Sequence, residues 1–216
     1  MKNIVVMISG RGSNFVAIRE AASRERWELS PGASIALVVS NVPGAKGLEH
    51  AREAGIPTLV VNHRDYPGRE AFEDALIAAI GPLDPAVIVL AGFMRVLTSH
   101  FTDRFPGRIL NIHPAILPSF KGLDTHERAI QAGVRMHGTT VHFVTPELDS
   151  GAVIGQAAVP VLPSDDPDRL AARVLTCEHR LYPACVKAVL EGRVRLVQDK
   201  AVMDDATAAS LTLFAK

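Results

Sequence analysis

Three short stretches of the chain hold residue types that could do chemistry. The first is Ser9-Gly10-Arg11-Gly12-Ser13-Asn14, which directly follows an apolar run at residues 4–8. A glycine turn between a strand and a helix lets backbone N–H groups approach a phosphate at the positive helix end, and Arg11, Ser13 and Asn14 add side-chain donors. The loop is not a Walker loop, because no Gly-Lys-Ser/Thr follows, and it is not GxGxxG, because Phe15 stands where the last glycine belongs. The competing reading is a tight turn with Ser13 as a plain helix N-cap.

The second stretch is Leu110-Asn111-Ile112-His113-Pro114. Alternate side chains of a strand share a face, so Asn111 and His113 point the same way. An amide beside an imidazole makes a donor pair for an oxyanion. A lone His is more often structural and bonded to backbone. The neighbouring Asn and the proline-rich loop after it favour chemistry. The third stretch, Glu147-Leu148-Asp149-Ser150-Gly151, reads alone as an ordinary turn. Its functional reading gives Asp149 to His113 as the carboxylate that orients and charges the ring. His137 and His142 have no carboxylate pair nearby and read as structural, so no metal is expected. Ala91-Gly92-Phe93-Met94-Arg95 follows a strand and reads either as core packing or as a ligand wall. Glu178 and His179 fall on a long helix, where the default is a solvated face.

These stretches need elements to position them. Apolar, β-branched runs at 4–8, 35–39, 58–61 and 86–90 alternate with helical patterns at 15–24, 47–54 and 69–80. That alternation predicts a parallel sheet covered on both faces, with ligands at the carboxyl ends of its strands. Residues 109–113 read as a fifth strand and 114–124 as a loop. Residues 125–131 read as a short helix with Thr125 near its cap. Strands at 138–144 and 152–160 around the 145–151 turn predict an antiparallel hairpin, followed by a long helix at 168–190. The expected fold class is therefore α/β. It is a Rossmann-like, mostly parallel sheet with helices on both faces and an antiparallel hairpin in the C-terminal half. One domain over 1–216 is expected, with 1–110 as a phosphate-binding βα half and 111–216 as a catalytic half with a C-terminal extension.

Composition narrows the functional classes. Hydrophobic residues make up 48% of 216, enough for a sizeable core. Lys plus Arg equals Asp plus Glu at 23 each, which leaves no footprint for nucleic acid or an anionic membrane. Cys177 and Cys185, if on one helix, lie roughly 12 Å apart along its axis, too far for a disulfide. Scattered thiols, no signal-peptide pattern and no membrane-length run lead to the expectation of a cytoplasmic protein. The pattern of residues does not set the oligomeric state, and monomer or homodimer is the open expectation.

Taken together, these motifs resemble the phosphoribosylglycinamide formyltransferase family of purine synthesis, from about residue 4 to about residue 196. The resemblance rests on residues 8–14, 91–95, 111–114 and on His137-Gly138-Thr139-Thr140-Val141-His142-Phe143-Val144 with Glu147-Leu148-Asp149. The Asn, His and Asp are shared by a wider folate-dependent formyltransferase superfamily. The resemblance implies a formyltransferase fold and transfer of a formyl group from 10-formyltetrahydrofolate, as cosubstrate, to the amine of 5'-phosphoribosylglycinamide. It implies Asn111, His113 and Asp149 as the catalytic trio. Gly12, Ser13 and Asn14 match phosphate-binding positions, with Arg11 beside them, and Glu178 matches the acid that holds the ribose. Met94, Arg95, Val96 and Leu97 match the folate wall, and Arg69 a residue near the formyl-folate. Arg11 and Asp124 stand where the family varies. The competing activity is formyltetrahydrofolate hydrolysis, whose enzymes carry an extra N-terminal regulatory domain; a methionyl-tRNA formyltransferase would need a larger, basic C-terminal domain. A non-catalytic phosphoribosyl-binding module would not need the trio.

Overall fold

A computed structural model describes residues 1–214. They divide into two compact units, one of residues 1–110 and one beginning at Asn111.

In the first unit, β1 (Lys2–Ile8), β2 (Ala33–Ser40), β3 (Thr58–Val60) and β4 (Val87–Leu90) lie in the order β4-β1-β2-β3, every pairing parallel. Successive residues of β1 from Ile4 to Ile8, and all of β4, are buried. Burial of consecutive rather than alternate side chains means that both sheet faces are covered, as the unbroken β-branched runs require. The connecting helices are α1 (Ser13–Arg24), α2 (Lys46–Glu53) and α3 (Arg69–Ile80). A further one-turn helix, α4 (Ser99–Thr102), was not foreseen; Thr98 starts it by accepting a hydrogen bond from His100 N on its side chain.

In the second unit, β5 (Ile109–His113, entering from the first unit), β6 (Met136–Phe143) and β7 (Val153–Pro160) lie in that order, followed by the short β10 (Thr212–Phe214). β6 and β7 form the antiparallel hairpin and β10 runs parallel to β7. The helices are α5 (Thr125–Gln131), α6 (Pro167–Leu190) and α7 (Asp205–Ser210). α6 packs on the hairpin; Asp166 caps it, accepting from Arg169 N, and Pro167 occupies the first turn, where its missing N–H costs nothing. A separate two-stranded hairpin, β8 (Arg195–Val197) with β9 (Lys200–Val202), and the β10 strand also escaped the sequence reading. Three residues per strand are too few for alternation to stand out.

Thr125 lies beside the cap position of α5, as expected. Asp124 takes that position in the left-handed region, φ 56°, with no side-chain cap bond. The Thr125 hydroxyl instead donates to the Pro114 carbonyl at 2.7 Å and ties the helix to the start of the proline-rich loop. No helix among the described residues is long and apolar enough to cross a membrane.

Candidate active site

In the first unit, the loop after β1 and the loop after β4 line one cavity of about 240 Å³, with Ser9, Gly10, Gly12, Ser13, Ala91 and Met94 among its walls. Parallel pairing of β1 with β4 puts both loops at the carboxyl ends of their strands. Ser9 joins them: its hydroxyl accepts from Met94 N at 2.8 Å and donates to Asn41 Oδ1 at 2.5 Å. Gly12, not Ser13, caps α1, at φ 74° and without a side-chain bond. A Cβ on Gly12 would come within 2.8 Å of the Gly47 Cα. Close packing against α2 therefore demands glycine here whether or not a ligand approaches the backbone. Ser13 is half-buried, Asn14 buried and Arg11 exposed.

The 94–97 segment divides. Met94 and Val96 are exposed and Arg95 is half-buried, whereas Leu97 is 3% exposed and belongs to the core. Its far end is anchored by Glu73 of α3, a buried carboxylate that accepts from Thr98 N at 2.7 Å and from its hydroxyl at 2.5 Å. Glu73 was missed because a lone Glu on a helix reads as solvated. Arg69 is exposed at the first position of α3 and makes no hydrogen bond to residues 94–97 among the described residues.

The second unit holds the trio. His113 and Asp149 are 5% and 8% exposed, and His113 Nδ1 lies 3.4 Å from Asp149 Oδ2. Thus β5 and the 145–151 turn, distant in sequence, do meet. The turn packs closely on the end of β6, where only glycine fits at position 151, because a Cβ there would overlap the Phe143 carbonyl. Asp149 itself adopts φ 48°. Its Oδ2 accepts from Gly122 N at 2.9 Å, and His113 Nε2 faces the Phe120 carbonyl at 2.9 Å.

Asn111 completes the set on the same strand face, half-buried rather than buried. Its Nδ2 lies 3.2 Å from His142 Nε2, while His142 Nδ1 lies 2.9 Å from the Phe143 carbonyl. A carbonyl accepts only, so Nδ1 carries the hydrogen and Nε2 accepts from the amide. Burial lowers the His142 pKa and keeps this neutral form. The second amide hydrogen of Asn111 then remains for a ligand. A register shift between Val141 and His142 re-aims the ring. Sequence reading took His142 for a structural residue; the available signal was a histidine on a β-branched strand beside the trio's own motif.

The loop between β5 and α5 hangs on β6. Thr139 Oγ1 donates to His113 O at 2.9 Å, and Thr140 Oγ1 donates to Ala115 O at 2.7 Å and accepts from Leu117 N at 3.0 Å. Glu178, expected on a solvated face, is buried on α6.

A half-buried amide beside a buried imidazole and carboxylate at the end of a strand, in an α/β chain with a glycine phosphate-type loop, defines a class of acyl-group-transfer enzyme. The family model described as formyl transferase matches residues 2–186. The chain is 45% identical over 202 residues to phosphoribosylglycinamide formyltransferase of Escherichia coli (strain K12), covering 94% of this chain and 93% of that one. It is 44% identical over 193 residues to the trifunctional purine biosynthetic protein adenosine-3 of Gallus gallus, covering 89% of this chain but 19% of that one. The structure of glycinamide ribonucleotide transformylase 1 from Symbiobacterium toebii superposes with a TM-score of 0.89 at 40% identity, covering 94% and 95% of the two chains. The chain belongs to the formyl transferase family, among its phosphoribosylglycinamide formyltransferases.

Proposed function

We propose that this enzyme transfers the formyl group of 10-formyltetrahydrofolate to the amine of 5'-phosphoribosylglycinamide, in the cytoplasm, with residues 1–216 working as one formyltransferase domain. Residues 1–110 supply the phosphate loop and the folate wall, and 111–216 supply the chemistry. The observation that carries the reading is the buried His113–Asp149 pair beside an Asn111 amide already oriented by His142.

The neutral amine attacks the formyl carbon, forming a C–N bond and a tetrahedral intermediate whose oxygen carries the negative charge. The free Asn111 N–H and His113 Nε2–H donate to that oxygen, which takes the acceptor place that the Phe120 carbonyl fills in this structure. Asp149, facing the other ring nitrogen, holds the imidazole in that orientation and takes part in passing the amine's proton, through water, to the folate nitrogen. Collapse then breaks the bond between the formyl carbon and that nitrogen, releasing formylglycinamide ribonucleotide and tetrahydrofolate. Backbone N–H groups at residues 12–14 with the Ser13 and Arg11 side chains hold the phosphate. Glu178 accepts from the ribose hydroxyls, and Met94, Arg95 and Val96 bear on the folate with Arg69 near its formyl end; Leu97 supports that wall from within the core.

Absorbance-monitored deformylation of 10-formyltetrahydrofolate, with and without the ribonucleotide, tests the reading. Turnover that requires the ribonucleotide is expected. Turnover without it would mean hydrolysis, and none in either case a binding module; both would overturn the proposal.

A further inference from the structure

The segment 120–123 touches the trio twice, and a side chain outside the trio grips it. Arg128 of α5 reaches back over the helix start and donates from Nη1 to the Lys121 carbonyl at 2.6 Å and to the Leu123 carbonyl at 3.2 Å. Its guanidinium carbon sits 5.7 Å from the centroid of the Phe120 ring, within cation–π range. The Lys121 carbonyl and the Gly122 N–H are the two ends of one peptide group. In a trans peptide they point in opposite directions. One end faces the Arg128 cation; the other donates to Asp149 Oδ2 at 2.9 Å. The next acceptor upstream, the Phe120 carbonyl, faces His113 Nε2. Lys121 Nζ also meets the Ser150 hydroxyl, next to Asp149.

A single peptide dipole is thus clamped between a cation at its oxygen and a carboxylate at its nitrogen. Both charges are on the favourable side of the dipole, and hydrogen bonds in such a chain polarise one another. The backbone here needs holding: Phe120, Gly122 and Asp124 all have positive φ, at 54°, 82° and 56°. Two of these, Phe120 and Asp124, are non-glycine residues held in the left-handed region, where a Cβ crowds the backbone. Arg128 supplies this strained segment with a tie from outside the trio. Arg128 is itself exposed, so its contribution lies in this geometry and not in core packing.

We propose that Arg128 is a positioning residue for formyl transfer: it holds the Lys121–Gly122 peptide by its carbonyl end so that the opposite N–H fixes the Asp149 carboxylate against His113. This rests on the trio reading above. A lysine would replace it poorly, because an ammonium can meet the two carbonyls that Nη1 serves but has no planar group to lie over the Phe120 ring in the same pose.

The test compares wild type with Arg128→Ala and Arg128→Lys, using 10-formyltetrahydrofolate and the ribonucleotide, with thermal unfolding followed alongside. Arg128→Ala is expected to lower kcat by about tenfold or more while each KM stays within about twofold, with Arg128→Lys little better. Added guanidinium ion at non-denaturing concentration should restore part of the Arg128→Ala rate and leave Arg128→Lys unmoved. In an Asp149→Asn background, Arg128→Ala should cost little more, because its target is gone. An unchanged kcat, a full rescue by lysine, or a loss that persists undiminished in the Asp149→Asn background each overturns the inference. Inactivity of the wild type would instead overturn the functional reading on which it rests.

Discussion

Gly12 fits because it has no side chain to collide with Gly47, whereas His113 and Asp149 are fixed by partners drawn from β5, the 120–122 segment and the 145–151 turn. The phosphate-type loop is a backbone object, open to solvent at Gly10 and Arg11. The trio is a side-chain object, with His113 and Asp149 nearly sealed. A change in the loop should therefore act through shape and ligand affinity, and a change in the trio through rate. If that contrast holds, each region's variants fail in a different observable.

The largest effect is expected at Asp149. Asp149→Asn keeps size and removes charge, so kcat should fall about 10³-fold, within the range of general acid–base contributions, with both KM values nearly unchanged. Asn111→Ala removes the proposed oxyanion donor and should cost about 10²-fold in kcat. Pre-steady-state transfer rates would check both; a KM-dominated loss at either position would erase the contrast with the loop.

Most of this architecture could be read from residue pattern. Periodicity located β1 to β5, α3 and the hairpin because each is long, strongly apolar or bounded by turn residues. The trio was legible because Asn111 and His113 sit two apart on one strand, yet the sequence could not say that β5 and residue 149 meet. The roles of Glu73, Ser9 and His142 were missed for one reason. Each is a common polar residue whose work depends on burial among partners distant in sequence. The Leu97 side chain lies in the core, a placement that a motif match does not foresee.

The histidines around the trio should give this region an acid limit that the glycine loop lacks. Burial and the neighbouring His126 push the His137 pKa down to about 4. Unfolded, the same ring titrates near 6.5. Between those values the unfolded chain binds the extra proton, so stability is lost as pH falls from about 6.5 to about 4, by up to about 3 kcal/mol. Urea midpoints across that range should drop for wild type and drop less for His137→Gln. Identical pH slopes for the two proteins would remove His137 as the source.

A smaller stability loss is expected in the loop. Gly12→Ala meets both the left-handed φ and the Gly47 Cα, and should destabilise by about 2 kcal/mol. Gly10→Ala meets nothing within 4 Å and should stay within about 0.5 kcal/mol. Denaturant melts of the pair provide the check; equal costs at the two positions would mean that the packing on α2 does not set the loop's shape.

A tenfold effect, and the sharpest probe of how the trio is held, is expected at His142. The ring touches no substrate in the proposed mechanism, and it acts by accepting from Asn111 Nδ2 while its own Nδ1–H is spent on the Phe143 carbonyl. Gln at this position still offers an acceptor, whereas Leu offers none and frees the amide to rotate. His142→Leu should therefore lose about tenfold in kcat, equivalent to about 1.4 kcal/mol of transition-state stabilisation, and His142→Gln less. His142 Nε2 also lies 3.9 Å from Asp149 Oδ1, so a second route of action has to be separated. If the amide is the route, adding His142→Leu to Asn111→Ala costs nothing further, while adding it to Asp149→Asn costs the full tenfold. The reverse pattern would reassign His142 to the carboxylate. Protonation provides the same test without a mutation. Because burial lowers the His142 pKa, the accepting form persists below pH 6.5, and acidification past its titration should reduce kcat in wild type by the same factor but leave His142→Gln with a shallower acid limb.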